Sequence, residues 1–206
     1  DAPLKETLAA AMIYLSNWRY KDGFLDPCAG SGTIPIEAAM IARNIAPGLT
    51  RNFAFEYWDW VSREIITEER SNARKKIFPS GGYIIRGSDE NSLMTDIARA
   101  NATAAGVADD IMWSTESCPT TTDSPALQDI KTLVTNPPYG ERLDDGDVEG
   151  IHRLLLSLFA KNPSLSGGVI TSYSEFIGSS KRAHLEQRKM YNGSIECKYC
   201  YRKSSI

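Results

Sequence analysis

The stretch Phe24-Leu25-Asp26-Pro27-Cys28-Ala29-Gly30-Ser31-Gly32-Thr33 decides the reading of this chain. A short apolar run ends in an acid. A glycine-rich turn follows, and residues from Ile34 to Ala46 are rich in alanine, isoleucine and methionine, as in a buried helix. Strand, glycine turn, helix is the arrangement that brings backbone N–H groups and a helix N-terminus up to a bound ligand. Gly30 and Gly32 admit φ > 0 and a close approach with no Cβ in the way. Asp26, at the carboxyl end of the strand, adds a negative charge that suits an ammonium or sulfonium group better than a pyrophosphate. Read without a ligand, the same stretch is a tight turn between strand and helix, and the motif alone does not separate the two.

Working outward, Leu4, Leu8, Ala11, Met12 and Leu15 have helical spacing and predict a helix from Pro3 to Ser16. The helix after the glycine turn is predicted over 33–45 and ended by Ala46-Pro47-Gly48. Phe53, Phe55, Tyr57, Trp58 and Trp60 form a dense aromatic run, expected to be packing, before a long polar helix from Trp58 to Ile77. Tyr83 to Asp89 is a second strand ending in an acid, followed by a helix from Ser92 to Ala105 with Gly106 as its cap. Ile111-Met112-Trp113 is a third strand, and 117–128 a polar loop. Thr132-Leu133-Val134-Thr135 is a fourth strand that runs straight into Asn136-Pro137-Pro138-Tyr139. After a loop with Asp144, Asp145 and Asp147 come a helix from Val148 to Lys161 and a fifth strand at Gly168–Thr171. Two last strands meet around Asn192-Gly193, a strong hairpin signal. Strands alternating with helices predict an α/β fold: a doubly wound, Rossmann-like sheet, mostly parallel, with a C-terminal antiparallel hairpin and ligands at the carboxyl ends of its strands.

At 206 residues the chain reads as one domain, with a hydrophobic content of 42% and a charged content of 24% that suit a globular core. No apolar run has the length of a membrane span and no signal-peptide pattern opens the sequence, so no membrane is expected. A start at Asp1, directly before a helix, is expected of a fragment. The net charge of −3 gives no global basic footprint for nucleic acid, and the basic stretches Arg74-Lys75-Lys76 and Lys181-Arg182 are short. Of the four cysteines, Cys197 and Cys200 have metal-ligand spacing, but Ser194 to Tyr201 reads as a strand. Residues three apart on a strand point to opposite faces, so the pair cannot grip one ion, and no metal is expected. Reduced thiols fit a cytoplasmic home.

Three strand ends carry chemistry: Asp26, Asp89 and Asn136. An acid in the position of Asp89 binds ribose hydroxyls in dinucleotide sites; Ser88-Asp89 before a helix also reads as an N-cap. In Asn136-Pro137-Pro138-Tyr139 the prolines fix their own φ and hold the preceding residue extended. The Asn136 side-chain oxygen and the Pro137 carbonyl can then point into one small space, and two acceptors there suit an NH₂ group. Such a nitrogen is a poor nucleophile because its lone pair is delocalised, and accepting both hydrogens helps orient that lone pair towards an electrophile. Tyr139 offers a flat face for a planar substrate.

Together, Asp26-Pro27-Cys28-Ala29-Gly30-Ser31-Gly32 and Asn136-Pro137-Pro138-Tyr139 resemble S-adenosylmethionine-dependent amino-methyltransferases. More narrowly, Ala2 to Ala10, Asp26 to Ala39, Ala46-Pro47-Gly48-Leu49, Asn136 to Leu143 and Tyr191 to Cys197 resemble the ribosomal RNA guanine-N2 methyltransferases that carry a THUMP domain. The resemblance spans almost the whole chain and implies that residues 1–206 are the methyltransferase catalytic domain, with an RNA-binding THUMP domain upstream. It implies S-adenosylmethionine as cofactor and ribosomal RNA as partner. Thr7 and Leu8 would border the methionine end of the cofactor; Asp26, Pro27, Cys28, Gly30 and Gly32 would hold its amino-acid part, and Asp89 its ribose. Asn136, Pro137 and Pro138 would hold the target amine next to the donor, and Tyr139 the base. Where relatives often have an acid after the third strand, this chain has Glu116-Ser117-Cys118, so Ser117 takes the adenine-facing position. The same tetrapeptide occurs in DNA adenine-N6 and protein glutamine methyltransferases, and a non-catalytic RNA-binding scaffold is the remaining alternative.

Overall fold

Apolar residues at successive positions of the predicted strands need cover on both faces. The computed structural model, which describes residues 4–118, 125–138 and 145–204 (without the side chains of 125–126 and 145–147), provides it. Strands β1 (Gly23–Asp26), β2 (Ile85–Asp89), β3 (Met112–Thr115), β4 (Ile130–Thr135) and β5 (Ser166–Thr171) pair in parallel. Strands β6 (Glu186–Asn192) and β7 (Ile195–Arg202) form the hairpin, and β7 inserts antiparallel beside β5. Among the described residues the sheet order is β3-β2-β1-β4-β5-β7-β6. The order reverses between β1 and β4, which makes the cleft above their carboxyl ends the expected ligand site.

Helices α1 (Glu6–Ser16), α2 (Thr33–Ala42) and α4 (Ser92–Ala104) cover one face; α5 (Asp145–Lys161) and α6 (Ser174–Ser179) cover the other. Phe24, Val134, Ile170 and Cys197 belong to the first core; Leu25, Leu133, Val169 and Cys200 belong to the second. Cys197 and Cys200 thus lie on opposite faces, as the strand reading requires. The central strands β1, β4 and β5 are fixed in register by this two-sided burial, since a one-residue slip would exchange the faces. The hairpin turn falls at Gly193 and Ser194, one residue later than Asn192-Gly193, because Asn192 itself pairs with Ile195 and Gly193 supplies φ 64° at the first turn position.

Helix ends differ from the sequence reading where left-handed residues intervene. Asn17 (φ 52°) closes α1 and Asn44 (φ 54°) closes the segment after α2. Helix α3 (Arg63–Lys75) starts later than Trp58 because Ser62 takes the N-cap and accepts from the Ile65 amide. The largest correction concerns the aromatic run. Tyr57 and Trp60 are 70% and 78% exposed, and Phe53, Phe55 and Trp58 are exposed as well. These rings pack on one another, Phe53 on Phe55 at 5.8 Å and Trp58 on Trp60 at 5.1 Å between centroids, and enter neither core. The segment is held by polar bonds: Arg70 donates to the carbonyl oxygens of Leu49 (2.9 Å) and Arg51 (2.5 Å) and pairs with Glu56 (2.6 Å).

Candidate active site

The carboxyl ends of β1, β2 and β4 bring Asp26, Asp89 and Asn136 to one end of the sheet. The glycine turn between β1 and α2 is tied down by its neighbours. The Ala29 amide donates to the Ser88 carbonyl (2.8 Å), the Gly30 amide to Asp89 Oδ2 (2.9 Å), and the Gly32 amide to the Ala29 carbonyl (2.8 Å). Asn101 of α4 donates to the Ser31 carbonyl at 2.9 Å. The Ala29, Gly30 and Gly32 amides are therefore engaged within the protein.

The two glycines have different physical reasons. Gly30 (φ 52°) has nothing within 4 Å of the position a Cβ would take, which leaves the space open. Gly32 (φ 89°) faces inward: a Cβ there would sit 2.7 Å from the Trp113 ring and 2.9 Å from Ala98. It lets α2 start against α4 and β3. Pro27 is buried and Cys28 half-buried beside it.

Asp89 does not cap α4. That role belongs to Asn91, whose side chain accepts from the Leu93 amide at 3.0 Å. Asp89 instead accepts from Gly30 on Oδ2 and from the Asn91 amide on Oδ1 (3.0 Å). Each carboxylate oxygen retains a further lone pair for a hydroxyl group.

Asp26 is buried at 1% exposure. Its Oδ1 accepts from Thr135 Oγ1 (2.7 Å) and from the Cys28 amide (3.1 Å), while Oδ2 is buried and, among the described residues, has no partner. Burial pushes its carboxyl up from the ordinary 3.8 to about 7; the bonds from Thr135 and Cys28 oppose the shift and the charge of Asp89 adds to it. Asn136 follows Thr135 directly, and its Oδ1 is likewise buried without a partner among the described residues. A bare buried acceptor costs about 1–3 kcal/mol. Two of them at adjacent strand ends, one of them a carboxyl, suit two hydrogen-bond donors that the described residues do not supply: a cationic donor that would favour the ionised carboxylate, and a neutral one. An ammonium group fits Asp26, and an amine fits Asn136.

The other sequence-predicted residues fall around this pair. Thr7 is exposed and Leu8 half-buried in the first turn of α1. That helix ends at Ser16, whose carbonyl accepts from the Ser204 amide just past β7 (2.9 Å), and β7 brings Arg202 opposite Gly167 near the amino end of β5, so Thr7 and Leu8 at the other end of α1 lie toward the carboxyl ends of the strands. Ser117 follows β3 beside Asp89, whose carbonyl accepts from the Glu116 amide (3.0 Å). Pro137 is buried and Pro138 half-buried. Tyr139 lies outside the described residues. The sequence does not single out Thr135 or Trp113. A polar residue closing the apolar run Leu133-Val134 is the available signal for Thr135.

Comparison with known proteins identifies the family and the fold. Residues 1–200 match the family model described as RMKL-like, methyltransferase domain. The chain is 37% identical over 199 residues to a Bacillus subtilis (strain 168) protein, YpsC, provisionally named an RNA methyltransferase; the match covers 96% of this chain and 51% of that protein. It is 42% identical over 213 residues to the ribosomal RNA large subunit methyltransferase K/L of Shewanella loihica, covering 97% of this chain and 29% of that protein. Among solved structures, SMU.472, provisionally described as a methyltransferase and complexed with SAH, superposes with a TM-score of 0.87 at 37% identity, covering 100% of this chain and 54% of the other. The chain thus spans about half or less of the curated relatives' length.

Proposed function

The chain belongs to the RMKL-like methyltransferase domain family, and from that premise we propose that it transfers a methyl group from S-adenosylmethionine to the exocyclic N2 amine of a guanine in ribosomal RNA. The observation that carries this reading is the pair of bare buried acceptors, Asp26 Oδ2 and Asn136 Oδ1, on the two strands that flank the reversal of strand order. S-adenosylmethionine brings a methyl group already activated by its sulfonium; the chain's own residues position the reactants.

In this reading Asp26 takes the α-ammonium of the donor, whose charge favours the ionised carboxylate. Asp89 takes the ribose hydroxyls with its remaining lone pairs. Thr7 and Leu8 border the donor's methionine end, Pro27, Cys28, Gly30 and Gly32 shape the loop beneath it, and Ser117 faces its base. Asn136 Oδ1 and the Pro137 carbonyl accept the two amine hydrogens and so aim the nitrogen lone pair, with Pro138 stiffening the loop and Tyr139 stacking on the base. Acceleration then comes mainly from holding two reactants in line, which is worth several powers of ten when the geometry is fixed. The 206 residues act as the catalytic domain, and their net charge of −3 leaves the gripping of flanking RNA to another domain. The proposed location is the cytoplasm, with the ribosomes; among the described residues no helix is long and apolar enough to cross a membrane.

The test is methyl transfer from labelled S-adenosylmethionine by the full-length protein to protein-free ribosomal RNA, duplex DNA and a protein extract, followed by digestion and identification of the labelled group. The expected product is N2-methylguanosine from RNA. Label on adenine N6 in DNA or on glutamine would overturn the substrate, and absence of transfer by a protein that binds the donor would make it a scaffold.

A further inference from the structure

The bond between Thr135 and Asp26 joins residues 109 positions apart and is completely buried. Among the described residues, the two donors to Asp26, the Thr135 hydroxyl and the Cys28 amide, converge on Oδ1. That convergence fixes the rotation of the carboxylate and leaves Oδ2 without a partner among those residues. The residue that supplies the hydroxyl is also the last residue of β4, so its backbone leads directly into Asn136. One side chain therefore ties the donor-side acid to the loop that carries the acceptor-side oxygen. We propose that Thr135 is a positioning residue for the methyl donor: its hydroxyl orients Asp26 so that Oδ2 receives an ammonium group, and it sets the register between that group and Asn136. This rests on the reading of Asp26 as the ammonium-binding acid.

The chemistry around Asp26 makes the role measurable. Desolvation holds its carboxyl at about 7, and the Thr135 hydroxyl is the strongest influence opposing that rise. The other groups facing it are the Asp89 carboxylate, which disfavours ionisation, and the Cys28 thiol, pushed well up by its hydrogen bond with Cys118 and by burial and so neutral at physiological pH. An ammonium needs the ionised carboxylate. Binding should therefore tighten as pH rises through the Asp26 transition, and removing the Thr135 hydroxyl should move that transition upward.

The experiment is calorimetric titration with S-adenosylhomocysteine between pH 5.5 and 8 for the full-length protein and for Thr135→Val, Thr135→Ser and Thr135→Ala. Thr135→Val keeps the shape and removes the donor. It should bind about tenfold more weakly at pH 7, as expected for one hydrogen bond to a charged group, with its pH midpoint shifted upward. Thr135→Ser should restore both affinity and midpoint. Thr135→Ala gives the same readout if the valine variant does not fold. An unchanged pH midpoint in the valine and alanine variants, with wild-type binding intact, would overturn the role of Thr135 alone. A wild-type protein that fails to bind S-adenosylhomocysteine would overturn the donor reading as well.

Discussion

The strand ends at Asp26 and Asn136 and the aromatic segment around Trp58 depart from the inside–outside rule in opposite directions. At the first, polar oxygens are buried without partners among the described residues. At the second, Phe53, Phe55, Tyr57, Trp58 and Trp60 stand in solvent. The first departure sits on a rigid sheet, braced by Thr135 and the Cys28 amide, and it stores unfavourable desolvation in a place where a ligand can relieve it. The second sits on a connection held by the Arg70–Glu56 pair and by backbone carbonyls, outside both cores. A buried polar defect identifies the chemistry it awaits, because charge and donor sense are specified. Exposed rings specify only that apolar area is on offer.

This contrast predicts very different stability effects. The largest belongs to Asp26. Its folded-state value of about 7 lies above the ordinary 3.8, so the folded protein binds the proton more tightly than the unfolded chain. Unliganded stability must then fall as pH rises from about 4 to about 7. The loss is roughly 4 kcal/mol, since each tenfold difference in proton affinity between the two states is worth about 1.4 kcal/mol. Asp26→Asn keeps an oxygen for Thr135 and Cys28 and removes the titration. Denaturant unfolding at pH 5 and pH 7.5 should show the variant gaining on wild type over that interval. Glu37, which burial and then Glu6 push up to about 7, titrates in both proteins and cancels from the difference. A constant difference between the two proteins would mean that Asp26 is not desolvated as described. At the small end, Trp60→Ala removes a ring that contributes to neither core, and its unfolding free energy should change by no more than about 0.5 kcal/mol. A loss several times larger would show that the aromatic segment supports the fold.

Much of the candidate site's placement was legible because its signals are local. The strand–glycine–helix unit, Asp89 at a strand end and the rigid Asn136-Pro137-Pro138 run are each written in a few consecutive residues. What escaped the sequence depends on partners far along the chain. Gly32 reads as a ligand-approach glycine, yet the ring opposite its missing Cβ is Trp113, on another strand. The same ring lies 2.5 Å from where a Cβ of Gly87 would be, so two glycines answer to one tryptophan. Asp89 reads equally as cap or ligand until Asn91 is seen to take the cap. The aromatic run misleads because ring content reports hydrophobicity, whereas exposure is decided by whether a helix or sheet lies over the segment.

In the proposed function two strand-end oxygens divide the labour: Asp26 for the donor, Asn136 for the amine. The direct measurement is S-adenosylhomocysteine affinity and labelled-methyl turnover at saturating donor, taken together for Asp26→Asn and Asn136→Ala. Asp26→Asn should lose donor affinity by about ten- to a hundredfold, the range of a hydrogen bond to a charged group. Asn136→Ala should keep its affinity and lose turnover by about a hundredfold or more, as expected when a reacting group is no longer held. Equal loss of affinity in both variants, or near wild-type turnover in Asn136→Ala, would contradict the division.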